Sequence, residues 1–272
     1  MNNAVEGKPA ALLINERDGV AWLTMNRPER LNALNRGLTD DLRSYFQALQ
    51  DRPQIRVVVL QGAGRAYCAG LDLKDRIGAA PTDVQASFDG QKAIRDIMIA
   101  MRECPQPIVS IVQGPASGGG LGIALASDIR LATPDARFNA AFIKIGVSGC
   151  DMGSSYFLPR MVGASVASEM LLTGRFLDAQ RAYALGLVSR VDSFDALQTE
   201  AHALVGEMLN ATPLALRLTK DCLNQNIDAP GLRAAIAMED RNQVLCTRGG
   251  DFGEGIRAFL EKRQPVYGKA AT

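Results

Sequence analysis

The sequence has a single histidine, His202, and its five cysteines, Cys68, Cys104, Cys150, Cys222 and Cys246, form no C-x-x-C pair. An odd, widely spaced cysteine set argues against a disulfide framework and against a zinc site, and it fits a reducing, cytoplasmic setting. One histidine in a stretch of helical character leaves a serine hydrolase triad without a convincing base. Charge of one sign is missing too: the net charge is +1 with no basic run, so neither nucleic acid nor a membrane surface is an expected partner. Residues 1–9 carry no apolar signal segment, and no apolar run reaches the roughly 18 residues that a membrane span needs. What is there is an ordinary globular balance: 272 residues, 47% apolar and 22% charged, enough to bury a sizeable core.

Apolar runs at residues 11–16 and 20–25 flank Arg17-Asp18-Gly19, a strong hairpin signal. Thr39 can cap a helix running to about Gln50, with Leu42, Tyr45, Phe46 and Leu49 on one face and Pro53 as a stop. Residues 56–61 hold Val57-Val58-Val59-Leu60, the pattern of a strand buried on both faces. A second unit repeats this order: the stripe Ile94, Ile97, Met98 and Met101 predicts a helix, and residues 107–112 a strand. Gly118-Gly119-Gly120 opens a further helix, residues 128–132 predict a strand, and the chain from about Gly153 is mostly helical. Strands alternating with helices early and helices alone late imply an α/β core, divided here as residues 1–200, with a helical region at 201–272.

Two glycine-rich turns follow apolar strands, at residues 62–73 and 113–122. Such turns bring backbone N–H groups toward a ligand with no Cβ in the way, and the second starts a helix whose N-terminus favours negative charge. Two such donors on one oxygen would form an oxyanion hole. A dinucleotide fingerprint is not satisfied, because G-x-G-x-x-G started at Gly118 meets Ile123 and started at Gly120 meets Leu125. A nucleophile elbow fails as well, since Gly146-Val147-Ser148-Gly149 is followed by Cys150.

The run Asn26-Arg27-Pro28-Glu29-Arg30-Leu31-Asn32-Ala33-Leu34 resembles the "NRP…NAL" segment of the enoyl-CoA hydratase/isomerase (crotonase) superfamily. Five further stretches match in order: Tyr67 to Leu73, Gly114 to Asp128, Leu171-Leu172-Thr173-Gly174, Gly186-Leu187-Val188, and Ala258-Phe259-Leu260-Glu261-Lys262-Arg263. The resemblance implies an α/β spiral of β-β-α turns making two nearly perpendicular sheets, and a helical carboxy-terminal region that builds a homotrimer or a dimer of trimers. It implies an acyl-coenzyme A substrate, with coenzyme A entering as part of the thioester and no prosthetic group or metal. The backbone N–H groups of Leu71 and Gly119 would be the oxyanion donors. Arg30, Leu31 and the loop Ala69, Gly70, Asp72 and Leu73 would lie along the coenzyme, with Phe259 and Lys262 reaching its nucleotide from a neighbouring subunit. The acyl group would be lined partly by residues 77–88.

Hydratases of this family use two glutamates, and the corresponding positions here hold Gly122 and Phe142. Neither side chain moves a proton, so two-carboxylate hydration is in doubt. Asp151, in the loop before the next helix, resembles the catalytic aspartate of the family's isomerases and dehalogenases. One carboxylate can perform both halves of an allylic proton shift, whereas a plain helix cap is the alternative use of an aspartate at that place. Tyr67, Tyr156, Ser117, Ser148, Ser154 and Ser155 are the further hydroxyls that could give a proton or hold a water. A thioester or carbon–carbon hydrolase and a non-catalytic acyl-CoA-binding protein stay open beside the isomerase reading.

Overall fold

The computed structural model describes residues 9–76 and 83–267; of the segment expected at the acyl group, residues 77–82 lie outside that range. Strands β1 (Leu12–Arg17) and β2 (Val20–Met25) pair antiparallel around Asp18 and Gly19, both at positive φ as a tight hairpin requires. Helix α1 (Arg36–Ala48) starts a turn earlier than Thr39 would place it. The Asn35 side chain accepts the Leu38 N–H at 3.0 Å and is the cap, while Thr39 is buried inside the helix. There follow β3 (Val57–Gly62), α2 (Leu73–Arg76), α3 (Val84–Glu103), β4 (Ile108–Val112), β5 (Pro115–Ser117), α4 (Gly119–Ala126), β6 (Ile129–Ala132) and β7 (Arg137–Asn139). The rest comprises α5 (Ser154–Thr173, broken at Gly163), β8 (Leu177–Asp178), α6 (Ala179–Ala184), β9 (Arg190–Val191), α7 (Phe194–Leu209), α8 (Pro213–Asn226), α9 (Leu232–Arg248) and α10 (Asp251–Leu260).

Among the described residues, six strands form one sheet in the order β1-β2-β3-β4-β6-β9, parallel from β2 onward. The order β5-β7-β8 makes a second, smaller sheet. Isolated bridges Leu34–Leu71 and Cys68–Ala116 carry the same spiral into the loops after β2 and β3. Each turn thus has a strand in the large sheet, a short extended piece beside it, and a helix: β2, Leu34, α1; β3, Cys68 and Leu71, α3; β4, β5, α4.

The period of two along the strands feeds two cores. Val58 and Leu60 of β3 face a large core under α1, α3, α4 and α5, while Val57 and Val59 face a smaller one under α7. Leu197, Ala201 and Val205 of α7 close that second core, so position 200, the expected division of the chain, falls inside a helix that belongs to the sheet. The region that stands apart is α8 to α10, where α9 buries no residue of its own. Among the described residues no helix is long and apolar enough to cross a membrane.

Candidate active site

The segment after β2 clamps the loop after β3. Asn32 is fully buried in a left-handed conformation, and its amide donates to the carbonyls of Ala63 and Ala66, each at 2.8 Å. Its side-chain oxygen accepts the Arg27 N–H at 2.8 Å. Arg27 in turn donates to the Ala33 carbonyl and pairs with Asp72 at 2.9 Å, with both side chains shielded from water. Burial alone would raise the Asp72 carboxyl, but the Arg27 hydrogen bond and charge, with that of Arg30, outweigh it and hold it below the usual range. Asp72, expected along the coenzyme, has its carboxylate turned inward to Arg27, where it anchors the loop.

That anchoring fixes Gly70 and Leu71. Leu34 donates to the Gly70 carbonyl at 2.7 Å and accepts from Asp72 at 3.0 Å, which in a parallel bridge turns the N–H of Leu71 away from Leu34. Gly70 has φ +90°, and a Cβ there would stand 2.7 Å from the Ser117 carbonyl and 3.2 Å from the Gly119 nitrogen. Only glycine lets the two loops meet so closely. Gly120 does the same one residue on, where a Cβ would sit 2.0 Å from the Cys68 carbonyl. Among the described residues, no acceptor takes the N–H of Leu71 or of Gly119. Gly119 is buried, and buried N–H groups are rarely left unpaired.

Asp151 lies beside this junction, in the loop ahead of α5. Its carboxylate Oδ1 accepts the Gln91 amide from α3 at 2.6 Å and the Met152 N–H at 2.7 Å. The cap of α5 is Gly153, with no side-chain capping bond, so Asp151 does not serve as the helix cap. Met152, the next residue, brings its sulfur 3.1 Å from where a Gly119 Cβ would be. Met152 also closes the position of the missing glutamate. A Cβ on Gly122 would stand 2.9 Å from the Met152 Cβ and 2.8 Å from the Met98 methyl, so thioether and hydrocarbon occupy the space over that glycine. Phe142 is buried and packs toward Gly118.

A cavity of about 630 Å³ opens at Leu71 between α1 and α3, lined by Asn35, Thr39, Arg43, Asp75 and Ile94 among others. Arg30 and Leu31 sit half-buried at the clamp, with Leu31 in a left-handed turn, and Ala69 donates to the Leu31 carbonyl at 2.9 Å. Leu73 is exposed at the start of α2. Phe259, 83% exposed, and Lys262 stand in the carboxy-terminal segment, and no bond among the described residues joins them to the 69–73 loop. The Tyr67 hydroxyl is buried against Ser110 at 2.8 Å, and burial pushes its pKa up. Tyr156 bonds Asp228, Ser148 accepts from Cys150, and Ser154 accepts the Asp151 N–H. His202 stacks on Trp22 over the sheet face that α7 covers. Sequence reasoning missed Gln91, although its place seven residues before Met98 puts it on the same face of α3.

The fold is a spiral α/β one in which two glycine-built loops meet at Gly70, and comparison gives the family. The enoyl-CoA hydratase/isomerase family model matches residues 15–270. A probable enoyl-CoA hydratase of Mycobacterium bovis is 35% identical over 262 residues, covering 94% of this chain and 92% of that protein. The 1,2-epoxyphenylacetyl-CoA isomerase of Escherichia coli is 33% identical over 260 residues, covering 94% and 97%. The crystal structure of an enoyl-CoA hydratase from Mycobacterium smegmatis superposes with a TM-score of 0.87 at 33% identity, covering 96% of this chain and 99% of that one. The chain belongs to the enoyl-CoA hydratase/isomerase family.

Proposed function

We propose that the protein binds an acyl-CoA thioester with its carbonyl oxygen between the N–H groups of Leu71 and Gly119, and that Asp151 moves a proton at the resulting enolate. The observation that carries this reading is the pair of acceptor-free N–H groups brought together at Gly70. Fixed donors aimed at a developing oxyanion need no reorganisation during reaction. Arg30, Leu31, Ala69, Gly70 and Leu73 would run along the coenzyme. The exposed Phe259 and Lys262 would meet its nucleotide from a neighbouring copy in a trimer or a dimer of trimers.

Proton relocation is favoured over hydration because the space over Gly122 is filled by Met98 and Met152 and the second glutamate position holds Phe142. In a 3-enoyl thioester, the Asp151 carboxylate would take a proton from C2 while the electrons shift onto the thioester oxygen. A proton delivered from Asp151 to C4, after the carboxyl has exchanged with solvent, leaves the conjugated 2-enoyl product, with no water consumed. The Escherichia coli relative named as an isomerase is a precedent for isomerisation on this scaffold.

The test uses trans-3-hexenoyl-CoA and butyryl-CoA in deuterated water, read by mass spectrometry. Deuterium should enter both acyl chains without gain of water, and Asp151→Asn should lower the rate about 100-fold or more while thioester binding persists. Unchanged turnover in that variant, or no exchange into either thioester by the wild-type protein, overturns the reading.

A further inference from the structure

Asp151 Oδ1 takes two donors, the Gln91 amide at 2.6 Å and the Met152 N–H at 2.7 Å. Among the described residues no donor is found on Oδ2. The two oxygens of this carboxylate are therefore not equivalent: one is held at two points, and the other keeps its lone pairs for a proton. Hydrogen bonds from a neutral amide to a carboxylate are charge-assisted, and they fix the group without competing for the proton.

The donor is delivered by helix register. Gln91 and Met98 are seven residues apart on α3, two turns and one face. Met98 puts its methyl over Gly122, 2.8 Å from where a Cβ would be. The face of α3 that closes the unused glutamate position thus also brings an amide to the carboxylate that replaces it.

We infer that Gln91 is a positioning residue for Asp151, fixing Oδ1 so that Oδ2 is the oxygen that takes up and returns the proton. The inference rests on the proposed role of Asp151 and adds to it the residue that sets the carboxylate's orientation. Met152 alone would leave the group free to turn about one backbone bond to its own neighbour; Gln91 supplies the second point, from a segment 60 residues away in the chain.

The experiment is a double-mutant cycle on the full chain with trans-3-hexenoyl-CoA as the turnover probe and butyryl-CoA exchange in deuterated water as the enolate probe. Gln91→Leu keeps the bulk and removes the donor. It should lower kcat and the exchange rate about tenfold with KM changed less than about twofold. Gln91→Asn, which keeps the amide on a shorter arm, should fall between Gln91→Leu and the wild type, and it covers the case in which Gln91→Leu does not fold. Combined with Asp151→Asn, the Gln91→Leu change should have no further effect, because its only action is through that carboxylate. Additive losses, or a wild-type kcat in Gln91→Leu beside an inactive Asp151→Asn, would overturn the role of Gln91 alone. Full activity in Asp151→Asn would overturn the role of Asp151 and this inference with it.

Discussion

At the scale of single residues, the loop that carries Leu71 depends on the Arg27–Asp72 pair, 2.9 Å apart and shielded by the clamp. Removing one partner of a buried pair leaves the other uncompensated, which typically costs about 3–5 kcal/mol. Asp72→Asn should therefore lower the melting temperature at neutral pH. The pH dependence has a definite sign. The Asp72 carboxyl is held below its ordinary value in the folded protein, so its contribution is complete above the unfolded value of about 4 and fades as pH falls through the folded one. The difference in melting temperature between wild type and Asp72→Asn should be largest near neutral pH and shrink below about pH 4. A gap that stays constant across that range would show that the pair does not account for it.

At the scale of elements, α8 is tied to α3 by Asn224, whose amide donates to the Arg102 carbonyl at 2.8 Å, and to the core by its buried lysine. Lys220 donates to the carbonyls of Met101 at 2.9 Å and Gln106 at 2.7 Å and pairs with Asp128 at 3.1 Å. These partners close the end of α3 and the entry to β4, so the helix is fastened to the sheet by polar bonds where it buries little else. Asp128 keeps Arg102 and the Ile108 N–H when Lys220 is lost, so Lys220→Met strands chiefly two carbonyls. The expected cost is about 1–3 kcal/mol per stranded group, with faster amide exchange in α8 and unchanged exchange in β3 and β4. Uniform loss of protection across the sheet would mean that α8 and the core unfold as one unit.

At the scale of the whole molecule, α8 to α10 expose a set of large apolar side chains. Leu232 is 76% exposed, and Leu223, Val244, Phe259 and Leu260 also face outward. Helices owe most of their stability in proteins to packing of an apolar face, and α9 packs none of its residues fully in a single chain. We therefore expect association of copies through these helices, in keeping with the proposed trimer or dimer of trimers. Light scattering should give three or six times the chain mass, and Leu232→Asp with Val244→Asp should shift the protein toward monomer. A wild-type monomer at micromolar concentration would exclude that assembly.

Much of this was legible in the chain itself. The short apolar run Val57-Val58-Val59-Leu60, the Asp18-Gly19 turn and the 3.6-residue stripe from Ile94 to Met101 set strand, hairpin and helix from local pattern. The ordered motifs fixed the family, and the glycines at 70 and 118–120 marked the loops that meet. Local pattern could not decide three things. The short strands β5, β7 and β8 have too few residues to show a period and exist through pairing with segments distant in sequence. Thr39 and Asn35 are both good caps, and only the path of the chain into α1 chose Asn35. The side-chain partners of Asp151, Asp72 and Gly122 come from segments distant in sequence, so their chemistry was settled by which helix face and which loop the spiral brings beside them.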